Sequence, residues 1–287
     1  MKKIALIAIA ILSLVSVNLS AQILDEQNQV ARDGFYDKIY HKQIKPFEFP
    51  YVREADVVWE WRIWRVIDFR EKMNQVFYYP LDPEQGKVNL FYALETAILE
   101  GKIKIYEDDE FKREITDWPS LKKSFTPPIS TTIERMDMDG TIQLIDSLIE
   151  RNISNEDIRT LRLKEDWFID KNRSVMDVRI SGFSPIYYQI KEEGSAPIPI
   201  PLFWVRYNDP EVRDLLANVE VFNERNNAER RSYDDIFIKR YFTSYIIRES
   251  NRYERAIGTY LIGADALAES EKISDKVFDI EDDMWEY

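Results

Sequence analysis

Residue types able to do covalent or metal chemistry are scarce in this chain. Its 287 residues include no cysteine and a single histidine, His41. Thiolate nucleophiles, disulfides and sulfur-built zinc sites are therefore excluded, and a histidine-based triad could form only around His41. That histidine stands in a polar stretch and reads as a solvated residue. Gly258 and Gly263 have the spacing of a phosphate loop, but Ala264 and Asp265 follow where a lysine and a Ser or Thr would meet phosphate and Mg²⁺. Asp137, Asp139, Gly140 and Asp146 match part of a calcium loop, yet Arg135 holds its first ligand position. No G-x-S-x-G motif occurs. Paired carboxylates are the remaining option: 52 acidic residues could supply such a pair if the fold joined two of them, which keeps a secreted carboxylate-dependent hydrolase open. No metal site and no cofactor site is expected.

Charge narrows the partners. A formal charge of −13 and an isoelectric point near 4.8 repel nucleic acid and anionic membrane surfaces. The acids concentrate in residues 265–287, which carry nine of them against Lys272 and Lys276, whereas residues 223–255 hold eight bases against six acids. Such asymmetry predicts that the acidic tail, with Trp285 and Tyr287 as apolar anchors, docks on a partner, either a neighbouring copy or another protein. Trp59, Trp61 and Trp64 fall within six residues and alternate with Arg62 and Arg65. Core packing is the first reading of this cluster and a contact surface the second, since Trp, Tyr and Arg dominate interface hot spots. The candidate interface residues are thus Trp59, Trp61, Arg62, Arg65, Trp285 and Tyr287.

These residues need elements to position them. Lys2 and Lys3 precede an apolar run over 4–17, followed by Ser20-Ala21-Gln22, which reads as a signal peptide cut near Ala21. No later segment reaches membrane-spanning length, so direct membrane insertion is not expected. Residues 22–52 read as an extended arm closing on Pro46-Phe47-Glu48-Phe49-Pro50. Residues 53–287 read as a single α+β domain: a small antiparallel sheet with a central hairpin, covered by amphipathic helices, and helical from about residue 209.

Within it, Asp56 is expected to cap a helix reaching about residue 74. Asn89 is expected to cap a second, ended by Gly101, with a strand over 102–106. Residues 142–149 read as a short helix, and 158–169 with 174–183 as the hairpin. Residues 202–207 read as a strand after the Pro197, Pro199, Pro201 alternation, which suits an extended lead-in or a sheet edge. Pro210 should open a further helix. Ser232 should cap one running through Tyr245 and Ile246, and a last helix covers 264–278.

The stretch from Glu54 to Asn74 (EADVVWEWRIWRVIDFREKMN) resembles the GldN/PorN family of Bacteroidetes gliding-motility and type IX secretion proteins. Lys164-Glu-Asp-Trp-Phe-Ile-Asp170, Arg173-Ser-Val-Met-Asp-Val-Arg-Ile180, Pro201-Leu-Phe-Trp204, Phe222-Asn223, Ser232-Tyr-Asp-Asp-Ile-Phe237, Lys239-Arg240 and Tyr260 through Leu267 are similar in kind and order. The resemblance implies a periplasmic, non-enzymatic subunit held at the inner face of the outer membrane. It would form a ring with a GldK/PorK-like lipoprotein and be met by the periplasmic part of a GldM/PorM-like motor subunit. A monomeric periplasmic binding module and the hydrolase are the competing readings. Asp146-Ser147-Leu148 is similar to the acceptor pattern of Bacteroidetes O-glycosylation, which makes Ser147 a candidate for modification.

Overall fold

The computed structural model describes residues 44–284 except 85, 127–128, 137–141, 150–151, 190–196, 224–225, 227 and 254. The expected signal peptide, most of the arm, the centre of the calcium-loop match, and Trp285 and Tyr287 lie outside the described residues.

The elements run β1 (Val57–Asp68), α1 (Leu90–Leu99), β2 (Ile105–Tyr106), β3 (Glu114–Ile115), α2 (Trp118–Phe125), β4 (Ile129–Met136), β5 (Ile142–Ile149), β6 (Ile158–Asp170), β7 (Val175–Gln189), β8 (Ile198–Pro201), β9 (Val205–Arg206), α3 (Pro210–Asn218), α4 (Tyr233–Ile238), β10 (Tyr245–Glu249) and α5 (Ala264–Asp283), with short 3₁₀ turns between. An antiparallel sheet of six strands has the order β10-β1-β6-β7-β8, with β9 also pairing β7. Two two-stranded pairs, β2 with β3 and β4 with β5, stand apart from it. The fold class is α+β.

The largest correction is β1. Where a helix is expected over 56–74, residues 57–68 form a strand paired on both sides, with β6 and with β10. Eight of its twelve residues are β-branched or aromatic, and none is Gly or Pro. Those residues lose side-chain freedom in a helix and fit a pleated surface. The two apolar stripes that suggest a helix buried on two sides are the two faces of a strand. Trp59, Trp61 and Ile63 lie on one face, Trp64 on the other.

Residues 142–149 are likewise a strand, paired in register with β4, so Ser147 sits opposite Thr131 rather than in a helix. The same hairpin joins Arg135 and Asp146, the ends of the calcium-loop match, through ladder pairs with Gln143 and Thr132.

The central hairpin is present as β6 and β7, paired from Asp170 against Val175 to Ile158 against Tyr187, with register shifts between Lys164 and Glu165 and between Ile158 and Thr160. Pro199 and Pro201 lie in β8 at the sheet edge, where their missing N–H groups leave no ladder bond unmade, and Pro197 precedes the strand. The expected strand over 202–207 shrinks to β9, and that over 102–106 to β2. Asn89 caps α1 by accepting from the Tyr92 N–H at 2.7 Å, and Gly101 follows at φ +68° in the left-handed role. Pro210 occupies the first turn of α3.

Ser232 and Asp235 form a capping box on α4, but that helix stops at Ile238. Arg240 follows at φ +53°, and the apolar run from Tyr245 becomes β10, so the region after 209 is not wholly helical. A long loop from β10 leads to α5, which extends five residues past its expected end.

One cluster of buried residues fills the space between the sheet and α1 to α4, with Leu161, Leu163, Phe183, Phe237 and Leu216 at its centre. A second joins Ile63, Ile246 and Met176 to Ile273 and Val277 of α5 on the same face of the sheet. The opposite face carries a smaller cluster of Trp64, Tyr106 and Trp204.

Candidate protein interface

Strand β1 presents the expected interface residues in two directions. Trp59 and Trp61, on the α5 side, pack edge to face with ring centres 5.9 Å apart. With Glu60, Lys276, Asp279 and Ile280 they line an open pocket of about 460 Å³ beside the last turns of α5. Both indoles are half-buried against the Ile63, Ile273 and Val277 cluster, so they serve the core and keep one edge at the surface.

Arg65 faces the same way, but its guanidinium is enclosed. Its Nε lies 3.2 Å from Oε2 of Glu165, a side chain with no exposed surface. Arg240 meets Glu165 from α4's end at 2.9 Å, and the Trp167 indole N–H donates to the same carboxylate at 3.2 Å. Burial pushes the Arg65 guanidinium below its usual range, and Glu165 opposes that. Arg65 therefore acts inside the domain. Arg62, on the opposite face, is partly exposed and pairs with Asp166 at 2.5 Å, while the Ser181 hydroxyl donates to that carboxylate. Hydrogen bonding to Asp166 raises the Arg62 guanidinium.

Trp64, central to the sequence cluster, is only 7% exposed. Its indole N–H donates to Asp109 at 2.9 Å, and the loop bearing Asp109 closes over β6 and β7 through Phe111. Gly182 permits that closure, since a Cβ there would lie 2.5 Å from the Phe111 ring and 2.7 Å from the Val205 carbonyl oxygen.

The described part of the arm is held by a buried cluster with no obvious sequence signal. Arg213 of α3 pairs with Asp234 of α4 at 2.7 Å, Tyr207 donates to the same carboxylate at 2.7 Å, and Arg213 also donates to the Phe47 carbonyl at 2.7 Å. Its guanidinium lies 4.7 Å from the Phe49 ring. Burial raises the Tyr207 hydroxyl far above its ordinary range, keeping it a neutral donor to Asp234.

Each of the five buried carboxylates among the described residues, Asp56, Asp68, Glu165, Asp170 and Asp234, is ion-paired to an arginine. Those arginines hold Asp68 and Asp170 below the usual carboxylate range, whereas burial raises the partly buried Asp209 against the pull of Arg206. Among the described residues no group of three or more His, Asp or Glu could hold a metal ion, and no helix is long and apolar enough to cross a membrane. A wider cleft of about 740 Å³, lined by Met73, Val76, Tyr79, Phe222, Arg231 and Tyr241, is partly enclosed and partly open to solvent.

No curated protein matches the chain. Residues 52–286 match the family described as gliding motility associated protein GldN, a span that takes in the six-stranded sheet, all five described α-helices and every described interface residue. The chain therefore belongs to the GldN family, components of the gliding motility machinery.

Proposed function

We propose that this protein is a non-catalytic structural subunit of the type IX secretion and gliding motility machinery. It works in the periplasm, at the inner face of the outer membrane, in a ring with a GldK/PorK-like lipoprotein. The periplasmic domain of a GldM/PorM-like motor subunit engages that ring. The observation that carries this reading is the family match over residues 52–286. The charged n-region and apolar h-region at the start of the chain support export, and the pairing of each of the five buried carboxylates among the described residues with an arginine supports a scaffold over a hydrolase.

Size-exclusion chromatography with light scattering, run on the mature chain alone and with the lipoprotein, tests it. A large complex containing both proteins is expected. A chain that stays monomeric with the lipoprotein present, and whose host still secretes and glides after the gene is deleted, overturns it.

A further inference from the structure

The sheet face turned away from α5 carries two arginines that form no ion pair among the described residues, in a chain whose net charge is −13. Arg162 on β6 and Arg248 on β10 share that face with Trp64 and Val66, which lie between them on β1. Arg248 stacks on the Trp64 ring at 4.1 Å. The carboxylates nearby are already engaged. Asp68 is held by Arg70, Asp166 by Arg62, and Asp109 accepts from Trp64 while its carbonyl takes Lys164. Neither Arg162 nor Arg248 forms an ion pair among the described residues, and the Nε of each is buried without a hydrogen-bond partner. Burial lowers the Arg162 guanidinium; Asp109 and the hydroxyls of Tyr188 and Tyr245 oppose this, and Arg248 adds to it. Two half-buried guanidinium groups lacking carboxylates are suited to accept them from outside.

The same chain holds a matching surface on the other side of its sheet. Ser270, Ile273 and Val277 turn one stripe of α5 inward, while Glu271, Asp275, Asp279 and Asp282 form an exposed ridge at helical spacing. Phe278 and Leu267 are 63% and 57% exposed on the same helix, large apolar side chains that nothing described covers. Lys272 is occupied by Glu269, leaving Lys276 as the base beside the ridge.

We propose that the acidic ridge of α5 in one copy docks on the Arg162 and Arg248 face of a second copy. The two patches lie on opposite faces of one sheet, so they meet between copies, and the contact is heterologous and head to tail. This rests on the proposed assembly role and gives it a specific contact.

Sedimentation velocity of the full mature chain over a concentration series, at low and high salt, tests it with two variants, Arg162→Glu/Arg248→Glu and Asp275→Lys/Asp279→Lys. The wild type is expected to associate as concentration rises and to dissociate with salt. Each variant should lose this, weakening association roughly tenfold or more, and an equimolar mixture should regain it because reversed faces again complement. Asp275 and Asp279 are exposed, so the second variant folds even where the first does not, and melting curves identify that case. A wild type monomeric at every concentration, association indifferent to both variants, or well-folded variants whose mixture fails to associate would each overturn the proposal. Copurification of the wild type with the lipoprotein, measured in parallel, separates the outcomes. If it persists while self-association is absent, only this contact falls.

Discussion

The guanidinium of Arg248 lies 4.1 Å from the centre of the Trp64 ring, placing a cation with no ion pair among the described residues on the aromatic face of a β1 residue. Lys164 approaches the same ring at 5.9 Å from the other neighbouring strand. Trp64 thus joins three strands, β10, β1 and β6, through one side chain, with its N–H fixed on Asp109. Interactions of this kind contribute about 0.5 to 2 kcal/mol each, according to how far water is excluded.

Replacing Trp64 by Ala should destabilise the domain by about 3 to 5 kcal/mol, as large-to-small changes at buried aromatic positions do. Chemical denaturation of the two proteins measures this. An unchanged melting temperature together with lost lipoprotein binding would instead make Trp64 a contact residue.

Glu165→Gln should cost about 3 to 5 kcal/mol, because removing one partner of a buried ion pair leaves the others without compensation. Here the stranded groups are Arg65 and Arg240. Replacing the exposed Glu60 by Gln is the control, with an effect of about 0 to 1 kcal/mol. Equal melting temperatures for the two variants would show that the Glu165 cluster is dispensable.

Much of this arrangement was legible in the sequence and some was hidden for identifiable reasons. The caps at Asn89 and Ser232, the Pro210 helix start and the hairpin of β6 and β7 follow from local rules, and the structure has them. β1 misled because Trp59, Trp61, Ile63, Trp64, Val66 and Ile67 satisfy helical and alternating spacing at once when both faces are buried; strand propensity was the better guide. The run from Tyr245 was drawn into the Ser232 helix because nothing in its spacing marks the left-handed turn at Arg240. Arg65 and Arg62 look alike in sequence, yet pairing with Glu165 and Asp166 on opposite faces gives them different roles. Arg162 and Lys164 alternate along β6, but whether each has a partner is a tertiary property with no sequence signal, as is the Arg213 and Asp234 pair.

Asp68 makes stability pH-dependent in a defined direction. Its hydrogen bonds from Arg70 hold the carboxylate below its unfolded value, with burial opposing. A group depressed on folding stabilises above the unfolded pKa, about 3.9 for Asp, and that contribution disappears as pH falls through the folded value. Asp68→Asn should therefore lower stability at neutral pH by about 1 kcal/mol or less, since Arg70 is largely exposed. The difference from wild type should close below about pH 4. Denaturant titrations at neutral and acid pH read it, and a gap that widens on acidification would mean the pair does not stabilise the fold.

The end of α5 combines a structural and a docking role, and two truncations separate them. Ile280 and Met284 pack against the cluster containing Trp59 and Trp61, so deleting residues 279–287 removes apolar burial together with five acids. That deletion should lower the melting temperature and abolish entry into large complexes. Deleting only 285–287 touches no described contact and removes Trp285, Glu286 and Tyr287. If these anchor a partner, the shorter truncation leaves the melting temperature at the wild-type value while weakening complex formation, measured by light scattering with the lipoprotein. Raising salt should weaken the remaining association further, because Asp279, Asp282 and Asp283 are still present and exposed. Normal assembly of the 285–287 deletion at every salt concentration would remove Trp285 and Tyr287 from the interface. The acidic ridge upstream, with the exposed Phe278 and Leu267, would then carry the contact between copies.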